Sequence, residues 1–263
     1  KGDFSRTMIF ESPSDKSTFF AVTAATSLAF FAMVGFEDSV NMAEETKDPV
    51  RIFPKMMITG IAVTGVIYVL IALCSVALVP VGVLADSDTP LVTVVETAAP
   101  GIPVEQILPF ISLFAVANSA LINMLMASRL LYGMANQDVL PRAFGKVHPA
   151  RRTPWVSIIF TTAIAVGLIV YVVRASGTED GTANVALLGG STALLLLLVF
   201  SVVNIAVLVL RKDDVGHDHF RTPTWLPFVG AVCCAFLAGP WARSEENQAQ
   251  YKIALGLLAL GVV

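Results

Sequence analysis

Long uncharged stretches alternate with short polar segments along almost the whole chain. The stretches cover residues 17–36, 56–85, 107–128, 153–173, 182–210 and 222–242, and a seventh begins at 253. A helix of about 20 residues rises about 30 Å, which matches the hydrocarbon core of a bilayer. Each of the first six stretches is therefore long enough to cross a membrane as a helix. The pattern predicts an all-α integral membrane protein.

The composition agrees with this class and argues against several others. Of the 263 residues, 56% are hydrophobic and 14% are charged, whereas soluble chains carry about 25% charged residues. Cys74, Cys233 and Cys234 all lie in apolar stretches, and no spacing suggests a disulfide or a metal site. The sequence also lacks the motifs of the common enzyme classes and the basic aromatic patches of nucleic-acid binders. We therefore expect no catalytic site, no metal, no cofactor and no nucleic-acid partner.

The first stretch carries an acid pair that a simple membrane anchor lacks. Glu37 and Asp38 follow residues 17–36 directly, and a further apolar turn comes after them. A charge inside lipid costs several kcal/mol, so acids in mid-pattern favour a discontinuous helix, interrupted at Val34-Gly35. The alternative is a helix that ends before the two acids, which would then lie in solvent. An interruption would present backbone carbonyl and N–H groups at the membrane midplane, where transporters hold their substrates.

Proline, glycine and charged clusters divide the rest of the chain. We expect an outer loop at 1–16, a loop at 211–224, and two further membrane helices within 225–263, the last of them truncated. The first five membrane helices are expected at about 17–43, 54–79, 105–135, 154–173 and 184–210. Pro54 would stand near the start of the second helix, where its missing N–H costs no hydrogen bond. The chain has no initiator Met and stops within an apolar run, so we expect a fragment of a longer protein.

The distribution of Lys and Arg predicts the orientation in the membrane. Loops 44–55, 136–153 and 211–224 hold three, four and three of these residues, whereas loops 81–104, 174–183 and 243–252 hold zero, one and two. Short loops rich in Lys and Arg remain in the cytoplasm. Residues 1–16 are therefore expected outside the cell.

The third helix contains polar residues that need partners in lipid. Ser119 and Asn123 are four residues apart and share a face, and Asn118 lies beside them. Two interpretations remain open: hydrogen bonds between packed helices, or the lining of a cavity.

Four motifs in order along the chain resemble amino acid permeases of the amino acid–polyamine–organocation superfamily. They are FFAMVGFE with AEETKDPVRIFPK, then ASRLLYGMANQDVLP, then Arg151-Arg152-Thr153-Pro154, and last Phe220-Arg221-Thr222-Pro223. Residues 136–139 depart from the ARDG of the family pattern. The resemblance covers helices six to twelve of that family and implies a LeuT-like fold. Residues 17–210 would form its second five-helix inverted repeat, followed by one to two extra helices.

The resemblance also implies a function for the parent protein. This is secondary active transport of amino acids or related amines across the plasma membrane by alternating access, coupled to protons or to exchange. The expected partners are the amine substrate, protons as a candidate coupling ion, the lipid bilayer, and the first-repeat helices of the same protein. Because those helices lie outside this chain, we do not expect the chain to transport alone. The competing function is a non-transporting membrane receptor or sensor on the same scaffold.

The site residues are carried over from the family position by position. The carbonyls at the break beside Gly35 would bind the substrate ammonium; here they belong to Phe31 and Val34. Phe31 resembles the aromatic gate of the family, with packing as the alternative, and Asn123 matches a position that touches the substrate side chain. Glu37 is the candidate for proton coupling, because the dipole of a following half-helix favours its charge and burial opposes it. A purely structural pairing of Glu37 within the break is the alternative.

Overall fold

The structure, a computed structural model, describes residues 2–8, 17–176, 181–213, 216, 219–242 and 248–262. About 80% is helical and the described residues include no strand, which confirms the all-α prediction for this part of the chain. The α-helices are α1 (Thr18–Ala32), α2 (Pro49–Leu78), α3 (Val81–Ala85), α4 (Pro90–Ala98), α5 (Val104–Asn136), α6 (Trp155–Ser176), α7 (Gly181–Leu210), α8 (Trp225–Ala238) and α9 (Gln248–Val262). Short 3₁₀ helices occupy Phe4–Met8, Glu37–Glu45, Arg142–Gly145 and Pro240–Ala242. Parts of the predicted loops at 1–16, 174–183, 211–224 and 243–252 lie outside the described residues.

Four of the described helices are long and apolar enough to cross a membrane: α2, α5, α6 and α7. Helices α1 and α8 are apolar but shorter, with 15 and 14 residues. A 15-residue helix rises about 22 Å, which is less than the hydrocarbon core. The sequence pattern had predicted six long spans, and α1 is shorter because the chain turns at residues 33–36.

The start of α2 differs from the prediction. The helix begins at Pro49, whose fixed φ suits the first helical position. The Asp48 carbonyl accepts hydrogen bonds from the N–H groups of Arg51 (3.2 Å) and Ile52 (3.0 Å). Pro54 consequently lies inside the helix, where its missing N–H removes one backbone hydrogen bond. The expectation that Pro54 begins this helix is wrong.

Helix α5 lies within one residue of its predicted bounds, but the segment before it is more ordered than expected. The predicted loop at 81–104 contains the short helices α3 and α4. The hydroxyls of Ser87 and Thr93 share a hydrogen bond of 3.0 Å at the start of α4. Pro90 occupies the first turn of α4, a position that needs no N–H.

Backbone contacts divide the described residues into two compact units. The first comprises the described residues of 1–9, 35–46 and 65–177. In it, α4, α6 and the 3₁₀ helices Glu37–Glu45 and Arg142–Gly145 pack against α5. The buried Ser157 hydroxyl donates to the Phe144 carbonyl at 2.9 Å, and the Phe144 and Phe160 rings meet edge to face at 4.9 Å. These contacts hold the start of α6 on the preceding basic loop.

The second unit comprises the described residues of 10–34, 47–64 and 178–263. Helix α7 lies at its centre, and α1, α8 and α9 pack against it. The buried core consists of Leu194, Leu197, Ala238 and Ala254. The Ser27 hydroxyl on the buried face of α1 lies 3.4 Å from the Leu237 carbonyl of α8.

Glycines mark the closest approaches to α7. A Cβ added at Gly230 of α8 would lie 2.9 Å from the side-chain oxygen of Asn204. A Cβ added at Gly190 of α7 would collide with the Gln250 amide group of α9. Small residues allow such close packing of helices in membranes, where van der Waals contact drives association.

Candidate functional site

The first helix is interrupted by a turn at residues 33–36. Helix α1 ends at Ala32, and the Val34 N–H donates to the Phe31 carbonyl at 3.2 Å, three residues back instead of four. Gly35 then takes φ +120°, a conformation that side-chain-bearing residues rarely adopt. The glycine therefore turns the backbone out of the helix, and the predicted discontinuity at Val34-Gly35 falls within this turn.

Glu37, the residue directly after the turn, forms a hydrogen bond back to it. Its Oε2 accepts the Gly35 N–H at 2.9 Å. Glu37 is also the first residue of the 3₁₀ helix Glu37–Glu45, and the N-terminal end of a helix favours a negative charge. Hydrogen bonds to an ionised acceptor are shorter and about twice as strong as neutral ones. The structure thus supplies a contact for the structural interpretation of Glu37, and proton coupling stays a prediction.

Phe31 combines a backbone and a side-chain feature. Its carbonyl accepts the Val34 N–H, but a carbonyl oxygen has two lone pairs and can accept a second donor. Its ring lies over Gly189 of α7, where an added Cβ would be 3.1 Å from the ring carbons. The side chain nevertheless remains 40% exposed. The ring therefore has a packing partner within its own unit and an open face.

Asn123 lies on an exposed part of α5. Its Nδ2 donates to the Ser119 carbonyl of the same helix at 3.0 Å. Asn204 in α7 makes the equivalent bond to the Phe200 carbonyl at 2.8 Å. Each amide nitrogen thus donates one hydrogen bond within its own helix, as polar side chains in membrane helices often do. This bond needs no neighbouring helix, and both interpretations of Asn123 stay predictions.

The predicted site residues divide between the two units. Phe31 and Val34 belong to the second unit, and Gly35, Glu37 and Asn123 belong to the first. Of the three in the first unit, the structure brings Gly35 and Glu37 into direct contact.

Sequence reasoning missed a cavity beside the 3₁₀ helix Glu37–Glu45. It has a volume of about 430 Å³, and its lining includes Val40, Arg129, Tyr132 and Gly133 of α5, and Gln137 directly after α5. Positions 129, 132 and 133 have the spacing of one helix face, so the sequence contained a signal that these three side chains lie together. Position 123 lies six residues before 129, about 9 Å along the axis, and outside this lining.

Known proteins similar to the chain are permeases and transporters. The sequence model of a family described as amino acid permease matches residues 3–262. The chain is 28% identical over 224 residues to the branched-chain amino acid permease BcaP of Bacillus subtilis (strain 168), covering 83% of this chain and 45% of that protein. It is 28% identical over 214 residues to the methylthioribose transporter of the same bacterium, covering 80% and 42%. It is 28% identical over 252 residues to the low-affinity putrescine importer PlaP of Escherichia coli (strain K12), covering 92% and 51%.

The match covers most of this chain but only part of each relative. The chain spans about half the length of the curated relatives it matches. No solved structure gives a significant match. The relatives are named for transport and not for catalysis, so the comparison points away from an enzyme.

Proposed function

We propose a function from one established premise: this chain belongs to the amino acid permease family. The protein that contains it transports amino acids or related amines across the plasma membrane by alternating access. Branched-chain amino acids and putrescine, for which two of these relatives are named, share an amino group that is protonated at neutral pH, whereas methylthioribose, for which a third is named, has none. Together with the family match, the first two support a small molecule with an ammonium group as the substrate class.

The substrate ammonium binds at the turn 33–36. The observation that carries this proposal is the end of α1 at Ala32, followed by Gly35 with φ +120°, within an apolar stretch. A helix C-terminus carries a partial negative charge, and its last carbonyls lack intrahelical partners. The carbonyls of Phe31 and Val34 receive the ammonium, and the open face of the Phe31 ring covers it. Asn123, which the family resemblance matches to a position that touches the substrate side chain, is a separate candidate residue.

Glu37 links this turn to protonation. In its ionised form the carboxylate makes a charge-assisted hydrogen bond to the Gly35 N–H. Protonation removes that charge and leaves at most a weaker neutral bond, so Glu37 holds the 3₁₀ helix to the turn less strongly. Other charged residues here include Asp38, Glu44 and Glu45 of the same 3₁₀ helix and Arg129, which lines the cavity beside Val40. A proton taken up at Glu37 would thus bias the inner side of the site toward opening.

The test compares Glu37→Gln with wild type in the full-length protein, reconstituted in proteoliposomes. Uptake of labelled amino acids and amines is measured across pH, and binding is measured separately. Gln keeps the shape and an acceptor oxygen but cannot exchange a proton, so we expect a flattened pH profile with binding largely retained. If the two pH profiles overlay while binding collapses, Glu37 is a structural or binding group and the coupling role is wrong.

Asp38→Asn is the matched control, because it removes the same charge one residue further on while Glu37 keeps its bond to Gly35. We expect it to leave the pH profile in place. If it flattens the profile as much as Glu37→Gln does, the titration belongs to the acid pair and the specific role of Glu37 fails. A protein that binds amines but gives neither accumulation nor exchange would instead favour the competing function, a receptor or sensor.

We also propose a repeat architecture and a membrane orientation for this chain. Residues 17–210 form the second inverted repeat of a LeuT-like fold, and first-repeat helices of the same protein complete the site. In support, the most apolar 18 residues of α5 are not buried within the structure. Their surface is therefore available to lipid or to other helices. The basic loops 44–55, 136–153 and 211–224 face the cytoplasm.

A further inference from the structure

The first unit contains a second and larger cavity, between the later part of α5, the basic loop and the start of α6. Its volume is about 670 Å³. Its lining includes the polar side chains of Arg129, Tyr132 and Arg152 and the aliphatic side chains of Leu121, Leu125 and Ile158, so the cavity is amphipathic. Along α5 the aliphatic Leu121 and Leu125 come before Arg129 and Tyr132, which separates an aliphatic end from a cationic end.

The depth of the cavity matches the edge of a membrane. The uncharged stretch 107–128 of α5 ends immediately before Arg129. Leu121 lies eight residues before Arg129, which is about 12 Å along the helix axis. The cationic end thus lies where lipid headgroups begin, and the aliphatic end lies at the depth of the acyl chains.

The backbone at both arginines is held by secondary structure or by a hydrogen bond. Arg129 is on α5, and Arg152 lies in the turn before α6 with φ 51°, its N–H donating to the His148 carbonyl at 2.8 Å. Asp138 and Arg142 form an ion pair of 3.0 Å and are not among the lining residues, which include two arginines and no acidic residue. Guanidinium groups match the geometry of phosphate oxygens and are more weakly hydrated than ammonium groups. The cavity therefore favours an anion and disfavours the cationic amines proposed for the site at 33–36.

We propose that this cavity binds an anionic phospholipid. The phosphate lies between the guanidinium groups of Arg129 and Arg152, and one acyl chain lies along Leu121, Leu125 and Ile158. Basic pockets between membrane helices on the cytoplasmic side have the chemistry that anionic headgroups require. The inference does not rest on the proposed transport function, because lipid binding can be measured whether or not uptake occurs.

The test measures lipid binding to the full-length protein by native mass spectrometry, with phosphatidylglycerol and phosphatidylcholine as probes. Arg152→Gln is compared with Arg151→Gln, an exposed neighbour that carries the same charge but does not line the cavity. We expect Arg152→Gln to weaken phosphatidylglycerol binding about fivefold, the share of one arginine near an anionic headgroup. Arg151→Gln should leave it unchanged, and neither variant should alter phosphatidylcholine binding.

A second variant tests the acyl-chain end. Ile158→Phe fills the aliphatic end without changing any charge, so we expect it to weaken phosphatidylglycerol binding while Arg152 is intact. Inorganic phosphate, added as a competitor, should not displace the lipid. Displacement by phosphate together with an unaffected Ile158→Phe would identify a site for free anions and overturn the lipid proposal.

Two further outcomes would overturn it. Equal losses in Arg151→Gln and Arg152→Gln would show a diffuse charge effect instead of a site. Equal binding of phosphatidylglycerol and phosphatidylcholine to the wild-type protein would show that the cavity does not select an anionic headgroup.

Discussion

Replacing Gly190 with Ala should destabilise the protein, although a Gly-to-Ala change at an exposed position in a helix interior usually stabilises it. Gly190 is buried in the interior of α7, and a Cβ there would collide with the amide nitrogen of Gln250 and lie 2.7 Å from its Oε1. The Gln250 side chain is only 3% exposed, so it has no open space into which it can swing. The added methyl group must therefore push α9 away from α7 or force Gln250 into a strained conformation.

The expected magnitude is the difference between two opposing effects. Overpacking a close contact costs about 1–3 kcal/mol. Ala is favoured over Gly in a helix interior by about 1 kcal/mol. The net loss is therefore up to about 2 kcal/mol. At about 2–4 °C per kcal/mol for a chain of this size, the unfolding midpoint should fall by as much as about 8 °C.

Gly256→Ala is the matched control. Gly256 lies on α9 in the same unit, with nothing within 4 Å of an added Cβ. It should raise the free energy of unfolding by up to about 1 kcal/mol, because only helix propensity changes. Thermal unfolding of the full-length protein in detergent provides the measurement for both variants.

A double-mutant cycle identifies the cause of the loss. In a Gln250→Ala background the Gly190→Ala change should lose its penalty, giving a coupling of about 0.5–3 kcal/mol. The reasoning is refuted if Gly190→Ala and Gly256→Ala shift the midpoint equally, or if the cycle shows no coupling. Either result would mean that α9 does not pack on α7 at Gly190.

Two further predictions concern the interruption and the topology. Gly35→Ala should destabilise the protein by about 1–3 kcal/mol, because φ +120° is strained for any residue with a side chain, even though no atom lies within 4 Å of the added Cβ. Gly65→Ala in α2 is the control, since its added Cβ also meets open space, and it should not destabilise the protein. Equal unfolding midpoints for the two variants would contradict this prediction. Single cysteines placed in the segments 47–55 and 142–152 should react with a membrane-impermeant thiol reagent from the same, cytoplasmic side, and labelling from opposite sides would refute the proposed orientation.

The interruption of the first helix was readable because its signals are local. Gly35 supplies the conformational freedom, and Glu37 follows it closely enough to hydrogen-bond its N–H. Both act within three residues, so no other part of the chain is needed to predict a break. The orientation prediction also uses local signals, because it depends on where Lys and Arg stand in the sequence, and it stays a prediction.

The start of α2 shows where local signals compete. Pro49 and Pro54 are both acceptable first residues of a helix, and the sequence alone favoured the one nearer the apolar stretch. The structure begins the helix at Pro49 and tolerates Pro54 inside it. A proline restricts the positions that it can take in a helix. Which of two prolines begins the helix depends on the other contacts that stabilise the turn between them.

The hydrophobic pattern by itself determined the membrane class, most helix positions and the interruption at 33–36, because each depends on neighbours in the sequence. The tertiary structure alone decided which glycines lie against a neighbouring helix and which residues line the same cavity. Gly190 and Gly256 look alike in their helices, yet only the first lies against another helix. Arg129 and Arg152 stand on different elements and share a cavity only because α6 packs against α5. Such contacts join residues far apart in the chain, and a local pattern carries no information about which distant surface a helix will meet.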